Sequence, residues 1–397
     1  MEFDSCAGFF LLVIAPTLHI IGISFLHRSK GRMYEQANRI YFMDSMRSTL
    51  MMLGVVLHSS NIFNTRQGWA IYSNETTVIA NYIGQAIHVF RMPAFFVVAG
   101  FFCIFTLKKY KTKKFLAVRM KRLVIPLLVT GLTLNSLQAI ILVLTGFREI
   151  NLGEYVLDGD WVSHLWFLNN LIVYFLIAAV LAEFFGKYHG VFRKLSPNLS
   201  LAVPLIVILG VMPIVSVVIQ GLNKLGFPLY SDILGVFRTH SMLIHLPYFV
   251  FGCVLAVNNN LLHKFSTINP IVILAAIVSS IMIMKIASFD NEIIHKSVLS
   301  YFEYLIVWLS ISLCFYIFYR FFNGPSEKWK FLSDASYTVY LFHHVLVIGI
   351  GFLLIQLEIP PLLSMFVLIL MTSTITLYIH KHVILKSRYA RLLFNGK

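Results

Sequence analysis

Long apolar runs dominate the pattern of the chain, and short polar segments separate them. Windows of about 17 to 25 apolar residues are long enough for a helix to cross the hydrocarbon core of a bilayer. We therefore predict an all-α fold, a polytopic integral membrane helix bundle. The eleven predicted spans lie near 7–26, 45–63, 78–106, 121–146, 164–186, 199–220, 241–257, 268–287, 298–320, 332–356 and 361–380.

The first predicted span differs from the others because it begins almost at the first residue. Glu2 and Asp4 precede it, so it lacks the basic start of a secretory signal. Two interpretations stay open: residues 1–38 form an extra N-terminal transmembrane helix with a cytoplasmic linker, or the protein starts at Met33. The first gives eleven spans and an outside N-terminus, and the second gives ten spans with both ends inside.

Composition excludes two classes of protein. Hydrophobic residues make up 58% of the chain and charged residues only 12%, whereas a soluble domain carries about 25% charged residues. The net charge of +15 could indicate nucleic-acid binding. However, the cations lie in short clusters between apolar runs, so we expect no nucleic acid as a partner. The four cysteines lie within apolar runs and show no disulfide or zinc spacing.

The distribution of Lys and Arg predicts the orientation. Alternate loops hold most of the 32 basic residues, including the segments KKYKTKK and RMKR, whereas one of the opposite loops is the acidic EINLGEYVLDGDW. Basic loops are retained on the cytoplasmic side of a membrane. We therefore predict a multi-pass protein in the lipid bilayer whose basic loops and C-terminus are cytoplasmic.

Two predicted spans carry ionisable side chains within apolar sequence. Arg47 and His58 are separated by ten residues, so on a helix they share a face and lie about 16 Å apart along the axis. His88 and Arg91 are three residues apart in the next span and also share a face. Such groups are costly at bilayer depth unless they face a cavity or a partner. Arg47 at the end of the helix and a buried His58 further along it therefore predict an access path for a reagent.

Two later spans add histidines. The segment SHLWFLNN places His164 and Trp166 at the outer start of the fifth span, and SDASYTVYLFHHVLV places His343 near the centre of the tenth. We expect the adjacent His343 and His344 to point to different faces of their helix. Because the histidines match no familiar ligand spacing, we expect no metal site.

Five segments in order carry a resemblance to a known family. They are the Arg-ten-His spacing, RMPAFFVVAGFF, HLWFLNNLIVYFL, LPYFVFGCVLA and YTVYLFHHVL. Together they resemble the membrane-bound acyltransferase 3 family over residues 39–397. The resemblance implies a core of ten helices, from which the predicted N-terminal span of residues 1–38 departs as an addition.

The resemblance implies transfer of an acyl group from cytoplasmic acyl-CoA to a sugar hydroxyl outside a bacterial inner membrane. Within the family the chain looks most like members that succinylate periplasmic glucans. O-acetylation of lipopolysaccharide O-chains is the alternative. The donor would be succinyl-CoA or acetyl-CoA as a co-substrate, and no cofactor is expected to stay bound. The outer loop between the fourth and fifth spans is short for such members. Because this loop should contact the acceptor, the identity of the acceptor stays open.

The residues support this chemistry with their own properties. Arg and Lys at the inner mouth could bind the phosphates of CoA, and a neutral imidazole could remove the proton of a hydroxyl. We expect His58 to be this base, and Arg91 to stabilise the oxyanion or to pair with the carboxylate of a succinyl donor. His88 and His343 are second candidates for positioning or acid–base work. The donor-binding candidates are Arg47, Lys108, Lys109, Lys121 and Arg122, and the acceptor-side candidates are His164 and Trp166.

Two alternatives stay open at the level of the sequence. Ser59 adjoins His58 and could form an acyl-enzyme, but direct transfer is favoured because no Ser-His-carboxylate arrangement is evident. Scattered His and Arg at depth would also suit a transporter or flippase without covalent chemistry. Against that interpretation, the two halves show no repeat and no matching pair of broken helices.

Overall fold

The computed structural model describes residues 40–186 and 235–397, together with scattered positions between 215 and 233. The predicted span near 7–26 lies outside the described residues, and so does almost all of the span near 199–220. The long helices are α1 Tyr41–Ile62, α2 Val78–Lys109, α3 Thr112–Thr130, α4 Ser136–Leu144, α6 Trp166–Gly186, α7 Thr239–Val257, α9 Pro270–Ile286, α10 Glu292–Phe321, α11 Glu327–Gln356 and α12 Pro361–Ile379.

Shorter elements join these helices. They are a π-helical turn Gly131–Asn135 between α3 and α4, α5 Leu152–Leu157, a 3₁₀ turn Asp160–Leu165, α8 Asn259–Ser266, a π-helical turn His380–Ile384 and α13 Arg388–Asn395. Two strands, β1 Asp232–Ile233 and β2 Phe237–Arg238, pair antiparallel, with Asp232 opposite Arg238.

The all-α, polytopic fold predicted from the apolar runs is confirmed. The part of the chain that the structure describes has a long helix at nine of the eleven predicted spans, with α3 and α4 together forming one of them. Seven helical segments of this part are long and apolar enough to cross a membrane. The number is eight if α8 and α9, which are bent by 70° relative to each other, form one span.

Helix α1 is not one of those seven. It packs against α2, α10, α11 and α12, so protein rather than lipid surrounds much of its surface. Two of its buried serines hydrogen-bond to the backbone of the same helix: Ser48 Oγ donates to the carbonyl of Ser45 at 2.8 Å, and Ser60 Oγ donates to that of Leu57 at 2.7 Å. A helix inside the bundle can therefore carry polar side chains without exposing them to lipid.

Helices α2 and α7 approach each other closely at Gly100 and Gly252. A Cβ atom on Gly100 would lie 1.9 Å from the carbonyl oxygen of Phe249, and one on Gly252 would lie 1.9 Å from that of Val97. Small residues allow membrane helices to approach each other and gain packing contacts. This crossing fixes α2, which carries Arg91, relative to the rest of the bundle.

We call the end of the bundle where α2 ends and α3 begins the basic end, because Lys108, Lys109 and Lys121 lie there. The other end, with the loop of residues 145–165, is called the opposite end. At the opposite end, the π-helical turn Gly131–Asn135 packs against the 3₁₀ turn Asp160–Leu165. A Cβ on Gly131 would lie 2.5 Å from the Trp161 ring, so only glycine lets the two turns meet.

Candidate active site

Four histidines meet in the interior, and we call them the histidine cluster: His58 of α1, His164 of the 3₁₀ turn, and His343 and His344 of α11. The ring centroid of His58 lies 5.3 Å from that of His343 and 4.8 Å from that of His344. The rings of His164 and His344 stack at 4.5 Å with an interplanar angle of 8°. His343 and His344 are buried, whereas His58 and His164 are only partly buried.

Hydrogen bonds fix the proton position on two of these rings. His343 Nδ1 lies 2.7 Å from the carbonyl oxygen of Tyr340, and His344 Nδ1 lies 2.6 Å from Gln138 Oε1. Carbonyl oxygens only accept, so in both rings Nδ1 carries the proton and Nε2 carries a lone pair. Each Nε2 is therefore a potential base or acceptor within the cluster.

Arg91 lies beside this cluster and against the backbone of α1. The residue is 6% exposed, and its Nε donates to the carbonyl of Leu50 at 2.9 Å. A Cβ atom on Gly54 would stand 2.5 Å from Arg91 Nη2 and 3.3 Å from His343 Nε2. Because Gly54 has no side chain, the Arg91 guanidinium and the His343 imidazole can face each other beside α1.

A strained turn carries His164 into the cluster. Gly159 has φ 71° and Ser163 has φ 45° with ψ −120°, and a non-glycine residue rarely adopts the latter conformation. Tyr340 Oη donates to the carbonyl of His164 at 2.9 Å, and Asn135 Nδ2 donates to that of Trp161 at 2.7 Å. Helix α11 and the π-helical turn therefore hold the backbone on both sides of the strained residue.

A cavity of about 180 Å³ opens at the basic end, and we call it the basic cavity. Its cationic lining residues are Arg47, Arg119, Arg122 and Lys397. Aromatic and aliphatic side chains from α2 and α6 form the inner wall, which also includes Met51 of α1. Met51 lies one turn beyond Arg47 in the direction of His58, so the cavity extends from the basic end toward the histidine cluster.

Neighbouring groups hold the arginines of the basic cavity in place. Arg47 Nη2 donates to Ser333 Oγ at 2.6 Å and lies 3.3 Å from Asp44 Oδ1, and its guanidinium lies 5.3 Å from the centroid of the Phe102 ring. Arg119 Nη2 donates to the carbonyl of Phe102 at 2.7 Å. Partial desolvation, together with the positive charge of Arg122, lowers the pKa of Lys397 below its ordinary value.

Comparison with known proteins identifies the family. A family model described as an acyltransferase domain, of the acyltransferase 3 type, matches residues 40–381. The chain belongs to the acyltransferase 3 family. It is 27% identical to a glucans biosynthesis protein C of Salmonella schwarzengrund and 26% identical to one of Salmonella heidelberg, over 79% of this chain and 84% of each relative. No solved structure matches the chain.

The structure brings together three of the four predicted catalytic residues of this membrane acyltransferase. His58, His343 and Arg91 lie within the site that the histidine cluster and Gly54 define. His88 precedes Arg91 on α2 by three residues, but its side chain is exposed and makes no ring contact with the cluster. A role for His88 in catalysis remains a prediction that the geometry does not favour.

Some of the predicted binding residues lie at the site, and others do not. Arg47 and Arg122 line the basic cavity, but Lys108, Lys109 and Lys121 are not among its lining residues. Lys108 Nζ instead donates to the carbonyl of Ala256 at 3.1 Å. Of the acceptor-side candidates, His164 joins the cluster, whereas the Trp166 ring packs against His245 at 5.4 Å and Phe96 at 6.3 Å.

From the sequence, His343 and His344 are expected to point to different faces of their helix, and His344 is not among the predicted catalytic residues. Their rings are indeed turned by 88° relative to each other, but both contact His58 and His164. Adjacent helical residues can meet at one site when the partner rings lie between their two directions. The adjacent histidines of YLFHH were the signal that could have indicated this.

Other residues of the site could not be singled out from the sequence. Gln138 lies in the apolar segment SLQAIILVL, and Trp69, whose ring stacks on His58 at 5.3 Å, lies in a loop. Arg119 lies within the basic run that served to predict orientation, and Lys397 is brought to the cavity by the packing of α13 on α3. Among the described residues, no group of three or more His, Cys, Asp or Glu side chains is arranged to hold a metal ion.

Proposed function

We propose that this membrane acyltransferase moves an acyl group, with succinyl favoured, from cytoplasmic acyl-CoA to a sugar hydroxyl of a periplasmic glucan. The observation that carries the proposal is the arrangement along one face of α1. Arg47 lines the basic cavity, Gly54 makes room for Arg91, and His58 belongs to the histidine cluster. These three positions follow one another at helical spacing, which aligns the donor-binding end with the candidate base.

The basic cavity fits the donor. Acyl-CoA carries several phosphates on one part and a thioester at the end of a long arm. The cationic mouth supplies guanidinium groups that bind phosphate oxygens bidentately, and the apolar inner wall suits the arm. In this proposal the basic end faces the cytoplasm, where acyl-CoA is made, and the protein lies in the inner membrane.

The histidine cluster fits the chemical step. A nitrogen of His58 takes the proton of the acceptor hydroxyl while the oxygen attacks the thioester carbonyl carbon. The C–O bond forms, the C–S bond breaks, and the proton passes to the thiolate that leaves as CoA. Arg91 stabilises the negative charge on the carbonyl oxygen or, with a succinyl donor, pairs with the free carboxylate. No cofactor takes part in these steps.

The acceptor is proposed from the relatives. Two proteins that this chain resembles over 84% of their length are named glucans biosynthesis protein C. Acceptor access is assigned to the opposite end, because the loop whose Trp69 stacks on His58 and the 3₁₀ turn that carries His164 both lie at that end of the bundle. O-acetylation of lipopolysaccharide O-chains is the alternative that the experiment below separates from this assignment.

Mass spectrometry of periplasmic glucans and lipopolysaccharide tests the proposal. The strains are a deletion of the gene and the deletion complemented with wild type or with His58→Ala. We expect one succinyl mass per modified glucan sugar only with wild type. An acetyl mass on the O-chain would replace both donor and acceptor in the proposal. Identical acyl groups in all three strains would refute both assignments.

A measurement on the purified protein tests the reaction itself. Wild-type protein in proteoliposomes should release free CoA thiol from succinyl-CoA when glucan from the deletion strain is present. Acetyl-CoA in a parallel reaction determines the donor preference. If neither donor is consumed in the presence of glucan or lipopolysaccharide, the acyl-CoA donor is wrong.

A further inference from the structure

Gln138 is a buried polar side chain that the reaction described above does not use. It lies on α4 and is 7% exposed, while its neighbours Leu137 and Ile140 are 49% and 54% exposed. Helix α4 therefore directs its apolar side chains outward and its amide inward. A buried amide costs stability unless hydrogen bonds satisfy it. Its Oε1 meets His344 Nδ1 at 2.6 Å, and its Nε2 lies 3.5 Å from Ser163 Oγ.

The fold supports Gln138 at this position. The π-helical turn Gly131–Asn135 immediately precedes α4, and the 3₁₀ turn that carries Ser163 and His164 packs on it. Such π-helical turns within α-helices are frequent at functional sites. Gln138 thus lies between two unusual turns and contacts the polar side chains of two elements, α11 and the 3₁₀ turn.

The hydrogen bond of Gln138 determines what His344 presents to His58. With its proton on Nδ1, His344 carries a lone pair on Nε2, and its ring meets that of His58 edge to face at 4.8 Å. His343 is fixed in the same tautomer by the carbonyl of Tyr340. His58 therefore has beside it two imidazoles that carry a lone pair on Nε2. Among the described residues neither ring is hydrogen-bonded to His58, so in the proposed reaction their lone pairs act on the imidazolium that forms when His58 takes a proton, and stabilise it.

In hydrolases with a catalytic triad, a carboxylate does this work for the base. In the part of the chain that the structure describes, no carboxylate oxygen lies within 4 Å of a nitrogen of the histidine cluster. The ionisable groups that face His58 and His344 are His343 from α11, His164 from the 3₁₀ turn and Arg91 from α2. None of these can act as an anionic orienting group, so the neutral amide is left to fix the tautomer.

We propose that Gln138 is a positioning residue of the acyl transfer, which acts through His344 to stabilise the imidazolium of His58, the base. This inference rests on the proposed function, because it requires that His58 removes the acceptor proton. It assigns a role to a residue in an otherwise apolar stretch of α4, and it explains why an amide is buried there.

Two substitutions at this position separate orientation from folding. Gln138→Leu removes the acceptor for His344 Nδ1, and we expect turnover to fall about tenfold to hundredfold, with the apparent KM for the donor unchanged. Gln138→Glu keeps the acceptor and adds a charge that holds a second proton on His344. The acid limb of its pH–rate profile should therefore move to higher pH, with activity recovered on the alkaline side. Gln356→Leu, the same change at an exposed position of α11, is the control.

Thiol release in proteoliposomes, with succinyl-CoA and glucan and at matched protein amounts, is measured across pH for both variants, the control, wild type and His58→Ala. Wild-type turnover and pH profile in both Gln138 variants, with an inactive His58→Ala, would overturn the positioning role and leave the proposed function standing. A fully active His58→Ala would refute the assignment of His58 as the base, and this inference would fail with it. If Gln138→Leu does not accumulate, the pH profile of Gln138→Glu decides alone, since an unshifted profile excludes the role.

Discussion

The basic cavity and the histidine cluster lie along one face of α1, but they differ in how their polar groups are hydrogen-bonded. In the cavity, Arg47 Nη2 is held by Ser333 and Asp44, and Arg119 Nη2 by the carbonyl of Phe102, although Arg119 Nε is buried without a hydrogen bond among the described residues. In the cluster, His58 Nδ1, both ring nitrogens of His164 and His343 Nε2 are buried without a hydrogen-bond partner among the described residues.

This difference indicates two kinds of function. Cations held by neighbours can bind an anionic ligand with little rearrangement, which is what a binding site requires. Buried nitrogens without partners cost stability, and such costs are typical of sites where chemistry occurs. We therefore expect changes in the cluster to lower turnover, and changes in the cavity to weaken donor binding.

The largest expected effect is that of His58→Ala. Loss of the general base should reduce turnover by about 10²- to 10⁴-fold, while the amount of protein in the membrane stays at the wild-type level because the residue is partly exposed. Single-turnover measurements with succinyl-CoA and glucan give the rate of the chemical step. Wild-type turnover in this variant would show that another group removes the proton.

Gly54→Ala tests the space between the two regions. The new methyl group would stand 2.5 Å from Arg91 Nη2, so the guanidinium must move, and we expect turnover to fall about tenfold or more with a small change in donor KM. Gly349→Ala on α11 is the matched control, because the nearest atom to its Cβ lies 3.9 Å away. Equal turnover in the two variants would show that the position of Arg91 does not matter for the reaction.

The sequence predicted how some residues of the candidate site lie relative to each other and missed the placement of others, for physical reasons. Arg47 and His58 lie on one helix, so their spacing fixes their relation before any tertiary contact is known. His344 and Gln138 meet across 206 positions of the chain, and their approach depends on the π-helical turn and on packing that no local pattern encodes. The basic run of α3 predicted orientation, but only tertiary packing determines which of its cations line the cavity.

The fold shows the same division. The apolar runs predicted the long helices because lipid exposure imposes a composition that can be read locally. Helix α1 illustrates the limit of that rule, since neighbouring helices surround it and it can retain serines, an arginine and a histidine. The strained Ser163 and the π-helical turn at Gly131 follow from contacts between loops and helices, and they have no strong signature in the sequence.

Arg47→Ala should affect the cavity and spare the cluster. Loss of a charge-assisted contact to a phosphate is expected to raise the apparent KM for acyl-CoA about tenfold to hundredfold, with turnover at saturating donor nearly unchanged. Lys113→Ala, which removes an exposed cation of the basic end outside the cavity lining, is the control. An unchanged donor KM in Arg47→Ala would identify Arg47 as an anchor for orientation rather than a donor ligand.

The smallest effect is expected at Lys397, where the cavity meets solvent. The side chain is exposed, so screening limits its attraction for a phosphate, and Lys397→Ala should raise the donor KM only a few-fold.

The lowered pKa of Lys397 gives this contribution to donor binding a pH dependence. The ammonium binds an anion only when it is charged, so the contribution is present at neutral pH and is lost as the pH rises through a value below the ordinary lysine pKa. Donor KM measured from neutral to alkaline pH should therefore rise for wild type and converge with that of the variant. A constant ratio between the two across this range would mean that Lys397 acts on the cavity through packing, not through its charge.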